Sequence, residues 1–224
     1  VLRTLNLRME KASREMEFEK AALYRNILTK FEYVRQDFIA AENYMENPYL
    51  VDDLALGSLK SLMENIPIIK VLPRRIECYD ISNISGKDAV ASMVVATDGR
   101  IDKNEYRRFR MQGSNKPDDF GMIRETIRRR IKNNWLLPDL MIIDGGKGQI
   151  SSVWDVLNEE NINIPVIGIT KRFETLVYRF DDEFKEVVLP RENEGLKLIQ
   201  RLRDEAHRFA QKYHHLLRLK SITV

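Results

Sequence analysis

Apolar residues recur at alternating spacings of three and four over the first part of the chain, where neither proline nor glycine occurs before Pro48. This spacing is typical of amphipathic helices with a narrow apolar seam. The seam shifts to another face between Glu17 and Glu19, which predicts two antiparallel helices. Two short helices bury little apolar surface alone, so we expect this helical hairpin either to bind a partner or to act as a packing arm for the rest of the chain.

The period changes to that of β-strands after Pro73. Three short runs of strand character follow, at 76–81, 89–96 and 105–111. The last two are separated by Asp98-Gly99, a hairpin-turn signal. Three strands joined by such short segments predict an antiparallel meander. The segment before it is predicted to be a connector that holds one short helix at 53–64.

The second half of the chain alternates helices with apolar strands. A helix capped by Asp118 or Asp119 is predicted over 118–132, and the apolar run 139–144 is typical of a strand buried on both faces. Further elements are a helix ending near 157, a strand at 165–170, a weaker hairpin at 176–189 and a terminal helix at 194–219. This order is typical of the ribonuclease H-like fold, an α/β class with a mixed five-stranded sheet flanked by helices. The predicted domains are the helical hairpin (1–46), the connector (47–73) and a ribonuclease H-like domain (74–224).

Composition narrows the class of protein. A chain of 224 residues with 43% hydrophobic and 32% charged residues can bury a core. No apolar run approaches about 18 residues, so we expect no membrane span. The single cysteine, Cys78, excludes a disulfide framework and a cysteine-based zinc site and fits a reducing compartment. Nothing near Val1 is typical of a secretion signal, which favours a soluble cytoplasmic fragment or processed chain.

Positive charge is concentrated in one segment, although the formal net charge is only +3. Residues 100–132 carry 11 lysines and arginines against 5 acidic residues. Such a basic stripe suits a phosphate backbone, and it is equally typical of a solvated helix face.

Two aspartates are expected to meet at one edge of the predicted sheet. Asp80 lies in the first, central strand, and Asp144 ends the strand predicted to pair with it in parallel. A hard divalent cation relieves the repulsion between two carboxylates and supports phosphodiester cleavage by polarising the phosphoryl oxygen. The structural alternatives are an Asp80 bonded to backbone amides and an Asp144 that caps the next helix.

Two further features bear on chemistry. The glycine-rich segment 145–149 could hold a phosphate at a helix N-terminus, but it lacks the spacing of a P-loop, which argues against nucleotide hydrolysis. The histidines all lie in the terminal helix, at His207, His214 and His215. We favour His207 as a ligand or acid-base group, because the other two are expected at a solvated helix end.

Six motifs follow one another along the second part of the chain: 76–83 (IECYDISN), 91–95 (ASMVV), 106–109 (YRRF), 118–120 (DDF), 138–149 (PDLMIIDGGKGQ) and 204–210 (DEAHRFA). Together they resemble the C-terminal endonuclease domain of UvrC, the nuclease subunit of bacterial nucleotide excision repair. Residues 9–28 similarly resemble the UVR motif, the helical hairpin through which UvrC engages UvrB.

The resemblance implies a nuclease that uses Mg²⁺ or Mn²⁺ to make the 5′-side cut beside a lesion in double-stranded DNA. By position, Asp80, Asp144 and His207 match the catalytic triad of the family, and the two aspartates would hold the metal. His207 would act as a ligand through water or as an acid-base group. Either Asp118 or Asp119 matches a further carboxylate, and we favour Asp119. The candidate phosphate contacts are Arg107, Arg108, Lys147, Lys171 and Arg203.

The resemblance also implies UvrB as a partner, with expected contacts at Phe18, Glu19, Ala22 and Arg25. The chain lacks the family's GIY-YIG domain, which makes the 3′-side cut, and its helix-hairpin-helix region. We therefore expect neither dual incision nor strong independent DNA affinity. The alternative function is an adaptor that binds UvrB and DNA through an inactive nuclease-like domain, and the intact carboxylates argue against it. The sequence leaves the oligomeric state open.

Overall fold

The computed structural model describes residues 2–35, 50–82, 90–111, 118–170 and 174–222. Contacts divide the chain into two units, Val1–Val51 and Asp52–Val224. None of the helices in the described ranges combines the length and the apolar character needed to cross a membrane.

The N-terminal unit contains the predicted helical hairpin. Helix α1 spans Leu2–Arg14 and helix α2 spans Phe18–Arg35, and the two pack on each other. The chain reverses at Met16, whose φ of 57° lies in the left-handed region. Ala12 and Leu28 are buried. Large apolar side chains remain exposed on both helices and the turn: Leu7, Met16, Phe18 and Leu23.

One mixed sheet lies at the centre of the second unit. Its strands are β1 Arg75–Ser82, β2 Val90–Thr97, β3 Arg100–Ile101, β4 Arg107–Arg110, β5 Leu140–Ile143, β6 Val166–Ile169, β7 Leu176–Phe180 and β8 Glu183–Val187. The strand order is β3-β2-β1-β5-β6-β7-β8, and β4 also pairs with β2. Strands β1, β5 and β6 are mutually parallel, which places their carboxyl ends at the same edge.

Helices pack on both faces of the sheet and close two cores. Their bounds are α3 Leu50–Asn65, α4 Asp119–Lys132, α5 Lys147–Glu159 and α6 Glu194–Ile222. Alternation along β1 assigns its side chains to the two cores. Ile76 and Cys78 pack with apolar residues of α3 and α6, whereas Tyr79 packs with those of α4 and α5. Asp80 follows the phase of Cys78 and therefore faces α6.

The predicted ribonuclease H-like class is confirmed, and the sheet has eight described strands instead of five. The predicted third strand, 105–111, corresponds to β4. A short strand that was not predicted, β3, precedes it across a 3₁₀ turn at Lys103–Glu105, and β3 and β4 pair with different parts of β2. The predicted weaker hairpin forms β7 and β8 and extends the sheet beyond β6. Its turn uses Asp181 and Asp182, whose φ angles of 50° and 62° suit a two-residue hairpin loop.

Some predicted features lie outside the described residues. They are the loop 83–88, the end of the helical pattern near Pro48, and Lys171. The side chains of His214 and His215 lie outside the described set as well.

Candidate active site

Asp80 and Asp144 lie side by side at the carboxyl ends of two central strands. Strands β1 and β5 pair with Tyr79 opposite Ile143, and the Asp144 amide donates to the Tyr79 carbonyl oxygen at 3.0 Å. Asp80 is the next residue of β1 and Asp144 directly follows β5, and both are in phase with the residues that face α6. Asp80 is buried and Asp144 is half-buried. The predicted juxtaposition of the two carboxylates therefore agrees with the strand register.

Helix α6 brings His207 to this pair. The Nδ1 atom of His207 lies 3.6 Å from Oδ2 of Asp80, and 56% of the His207 side chain is exposed against 8% of Asp80. The Ser92 hydroxyl, opposite Asp80 in β2, donates to the Ala206 carbonyl oxygen at 3.1 Å and fixes the helix at this level. The imidazole thus lies on the solvent side of a buried carboxylate.

A second contact orients the His207 ring. The Nε2 atom of Gln211 lies 2.8 Å from Nε2 of His207. This contact, on the far side of the ring, holds the imidazole with Nδ1 toward Asp80. Sequence reasoning missed Gln211, although a spacing of four on a helix could have revealed it.

Cys78 lies behind the two carboxylates as a packing residue. Its side chain is fully buried. Burial, together with the charges of Asp144 and Asp80, raises the pKa of the thiol well above its usual value. The thiol stays protonated and unreactive at neutral pH.

The glycine-rich segment turns the chain from β5 into α5. The N-cap of α5 is Gly146, which makes no side-chain cap bond, so the alternative in which Asp144 caps this helix is wrong. Gly168 in β6 supports the turn: a Cβ on Gly168 would lie 2.4 Å from the Gly145 carbonyl oxygen and 2.7 Å from Cδ1 of Ile150. Only glycine permits the turn after Asp144 to approach β6 this closely.

Replacement of Gly168 by Ala is therefore expected to displace this turn and to lower the free energy of unfolding by about 1–3 kcal/mol, the usual cost of overpacking. Gly57→Ala is the matched control, because a Cβ at this position in α3 would have no neighbour within 4 Å. It should stabilise the protein by about 0.5–1 kcal/mol through helix propensity. Denaturant unfolding measures both changes, and effects of the same sign would contradict this description of the turn.

Asp118 and Asp119 have different surroundings. Asp118 is the N-cap of α4, and its Oδ1 accepts from the Gly121 amide at 2.8 Å. Asp119 is the first residue of the helix and is exposed. A Cβ on Gly148 would lie 2.6 Å from the Phe120 ring, so the starts of α4 and α5 adjoin. Because Asp118 is used as a cap, the functional role remains a prediction for Asp119.

The residues predicted to contact phosphate differ in their exposure to solvent and in the contacts that they already make within the protein. Arg108 is exposed, with its guanidinium 3.8 Å from the centre of the Phe209 ring. Arg107 is half-buried and donates to two backbone carbonyl oxygens. Lys147 is exposed but pairs with Glu186 at 2.7 Å.

The basic stripe is not uniformly exposed. Arg130 is fully buried and bonded to Glu77 at 2.8 Å. The expectation of a stripe available to phosphate is wrong at this position, because the charge is neutralised inside the protein.

Arg203 is engaged within the protein. Its guanidinium pairs with Asp204 at 2.9 Å and with Glu174 at 3.4 Å, and only 19% of its side chain is exposed. No local sequence pattern points to Glu174, which lies 29 residues away. This partner is discernible only once α6 is placed on the sheet.

The side-chain atoms at this site are of the kind that bind a hard divalent cation. Asp80 and Asp144 offer carboxylate oxygens, the ligand type that suits Mg²⁺ and Mn²⁺, and the His207 imidazole lies beside Asp80. Within the part of the chain that the structure describes, no three such side chains are already grouped to hold an ion. The fit therefore rests on the two adjacent carboxylates and the neighbouring imidazole.

Comparison with known proteins decides the family. Residues 65–211 match the model of the UvrC RNAse H endonuclease domain. The chain belongs to the UvrC family. Residues 1–34 match the UvrB/uvrC (UVR) motif, so the resemblance seen in the sequence is confirmed in both units.

Two UvrC relatives illustrate the similarity. The UvrABC system protein C of Chlorobaculum tepidum is 43% identical over 168 residues, which cover 73% of this chain and 26% of the relative. That of Fusobacterium nucleatum subsp. nucleatum is 42% identical over 185 residues, which cover 81% of this chain and 31% of the relative. The chain thus spans less than a third of the length of these relatives.

Solved structures are similar at a greater distance. The catalytic domain of human endonuclease V is 15% identical, with a TM-score of 0.41 over 67% of this chain and 85% of that chain. A Clostridium butyricum Argonaute bound to guide and target DNA is 12% identical, with a TM-score of 0.28 over 65% of this chain and 22% of that chain.

Proposed function

We propose that this chain hydrolyses a phosphodiester bond on the 5′ side of a lesion in double-stranded DNA, as the incision step of nucleotide excision repair. The observation that carries the proposal is the placement of Asp80 and Asp144 on the same face of neighbouring strands, with His207 beside Asp80. Membership of the UvrC endonuclease family supports the same reaction.

Mg²⁺ or Mn²⁺ is the cofactor that the donor set favours, and Asp80 and Asp144 would hold it. When bound, the cation stabilises negative charge on the phosphoryl and leaving oxygens. His207 is exposed enough to reach substrate and is oriented by Gln211, so it can hold or donate a proton near the leaving oxygen. Asp119 adds a carboxylate at the start of α4.

DNA contact is proposed for the exposed cations near this edge. Arg108 and Lys147 are exposed and would contact phosphate directly. Arg107 would contribute mainly charge, because its guanidinium is committed to carbonyl oxygens. Lys171 is also proposed to contact phosphate, on the basis of the sequence resemblance alone.

UvrB is the proposed partner of the helical hairpin. Phe18 is 68% exposed, Glu19 and Arg25 are exposed, and Ala22 is half-buried. An exposed aromatic side chain beside charged residues is the arrangement typical of an interface centre with a polar rim.

Phe18→Ala is accordingly expected to weaken UvrB binding about tenfold or more, since truncation of an aromatic interface residue commonly costs over 1 kcal/mol. Leu136→Ala is the control, because Leu136 is similarly exposed, at 75%, in the other unit. Isothermal titration of UvrB measures both affinities. Equal affinities for the two variants would place the UvrB contact elsewhere.

An incision assay tests the proposed reaction. A lesion-containing duplex, labelled at either end, is incubated with this chain and UvrB in Mg²⁺, Mn²⁺ or EDTA. The proposal expects a single cut on the 5′ side that requires the cation. UvrB and DNA binding without any cut would favour the adaptor function instead.

A further inference from the structure

Arg203 is held in place by acidic groups on two elements. Its Nε and one terminal nitrogen donate to Oδ1 of Asp204 at 3.1 and 2.9 Å, and both terminal nitrogens lie 3.4 Å from Oε1 of Glu174. Glu174 also accepts a hydrogen bond from Gln200, one turn earlier on α6. The guanidinium is therefore fixed between α6 and the segment that leads into β7.

The strand order places this guanidinium at the candidate active site. Arg203 lies four residues before His207, on the same face of α6. His207 lies over Asp80 on β1, and Glu174 precedes β7. Strand β5, which is followed directly by Asp144, lies between β1 and β7. The Arg203 side chain therefore extends from α6 to Glu174 along the same edge of the sheet that holds Asp144.

The electrostatics agree with this placement. Burial lowers the pKa of the Arg203 guanidinium, and the surrounding carboxylates outweigh that effect and raise it. Asp144 is one of those carboxylates, after Asp204 and Glu174. Arg203 is thus a permanent positive charge among acidic groups of the site.

We propose that Arg203 is a positioning residue that balances the charge of Asp144, so that it stabilises the site before a divalent cation binds and limits how tightly that cation is held. The part that concerns the cation rests on the proposed function. Without Arg203, Asp80, Asp144, Asp204 and Glu174 would repel one another. With Arg203 in place, an arriving cation meets a fixed positive charge and binds less tightly. This role differs from a direct phosphate contact.

A double-mutant cycle, followed by thermal unfolding in the absence of metal, tests the charge balance between Arg203 and Asp144. In EDTA, Arg203→Gln should lower the melting temperature by about 3–6 °C, a shift that corresponds to loss of one partly buried ionic contact in a chain of this size. Arg201→Gln, an exposed arginine on the same helix, is the control and should shift it by about 1 °C or less. Adding Asp144→Asn to Arg203→Gln should restore most of the loss. Independent, additive effects of the two substitutions would overturn the proposal.

Titration with Mn²⁺ alone, followed by electron paramagnetic resonance, tests the second part. Arg203→Gln should bind Mn²⁺ about 3–10-fold more tightly than the wild type, and Arg203→Lys, which keeps the charge, should bind with near wild-type affinity. Unchanged Mn²⁺ affinity in Arg203→Gln, with weakened DNA affinity, would overturn the proposal in favour of a phosphate contact. A wild type that binds no Mn²⁺ would count against the proposed function, and the unfolding cycle would still decide whether Arg203 and Asp144 are coupled.

Discussion

Asp144→Asn is expected to reduce incision about a thousandfold while the protein remains folded. The substitution keeps the shape of the side chain and removes one of the two charges proposed to hold the cation. Electrostatic stabilisation by a bound cation is worth several kcal/mol in the transition state, and each 1.4 kcal/mol is a factor of ten in rate. Single-turnover incision of a lesion-containing duplex in Mg²⁺ measures the loss.

Asp155→Asn is the matched control for this experiment. Asp155 is exposed on α5, so its substitution removes the same charge away from the site and should leave the rate within about twofold of wild type. Thermal unfolding of both variants establishes that they are folded. Incision by Asp144→Asn at the wild-type rate would remove Asp144 from the mechanism.

Arg130→Met is expected to lower the free energy of unfolding by about 3–5 kcal/mol, the usual cost of removing one partner of a buried ion pair. The Glu77 carboxylate is fully buried and accepts from Arg130 at 2.8 and 2.9 Å, from Arg75 at 2.9 Å and from the Tyr79 hydroxyl at 2.6 Å. Loss of Arg130 leaves this charge inadequately compensated between the sheet and α4. Urea unfolding measures the effect.

Arg128→Met provides the comparison on the same helix. Arg128 pairs with Glu159 at 2.7 Å, but its side chain is 42% exposed. Exposed pairs contribute about 0–1 kcal/mol, so this variant should remain close to wild type in stability. Equal losses for the two variants would mean that burial does not determine the strength of the Glu77 network.

The two carboxylates could be predicted from sequence because they depend on regular structure. Once β1 and β5 are recognised as parallel neighbours, strand period and register place Asp80 beside Asp144. His207 could be predicted because every histidine lies in the terminal helix. The family motifs then assigned these residues to one site.

Features that depend on long-range packing could not be predicted. Glu174 meets Arg203 only through the placement of α6 over the sheet, and no local pattern links them. Arg130 is indistinguishable in sequence from its neighbours Arg128 and Arg129, yet it alone of the three is fully buried. Its burial follows from the position of Glu77 on the α4 face of β1, which requires the register of the whole sheet.

Location of Mn²⁺ in crystals of this protein tests the central claim most directly. Anomalous scattering after an Mn²⁺ soak is expected to give a peak between the carboxylates of Asp80 and Asp144, on the side of His207. A protein that incises DNA while its Mn²⁺ lies away from both aspartates would contradict the proposed active site.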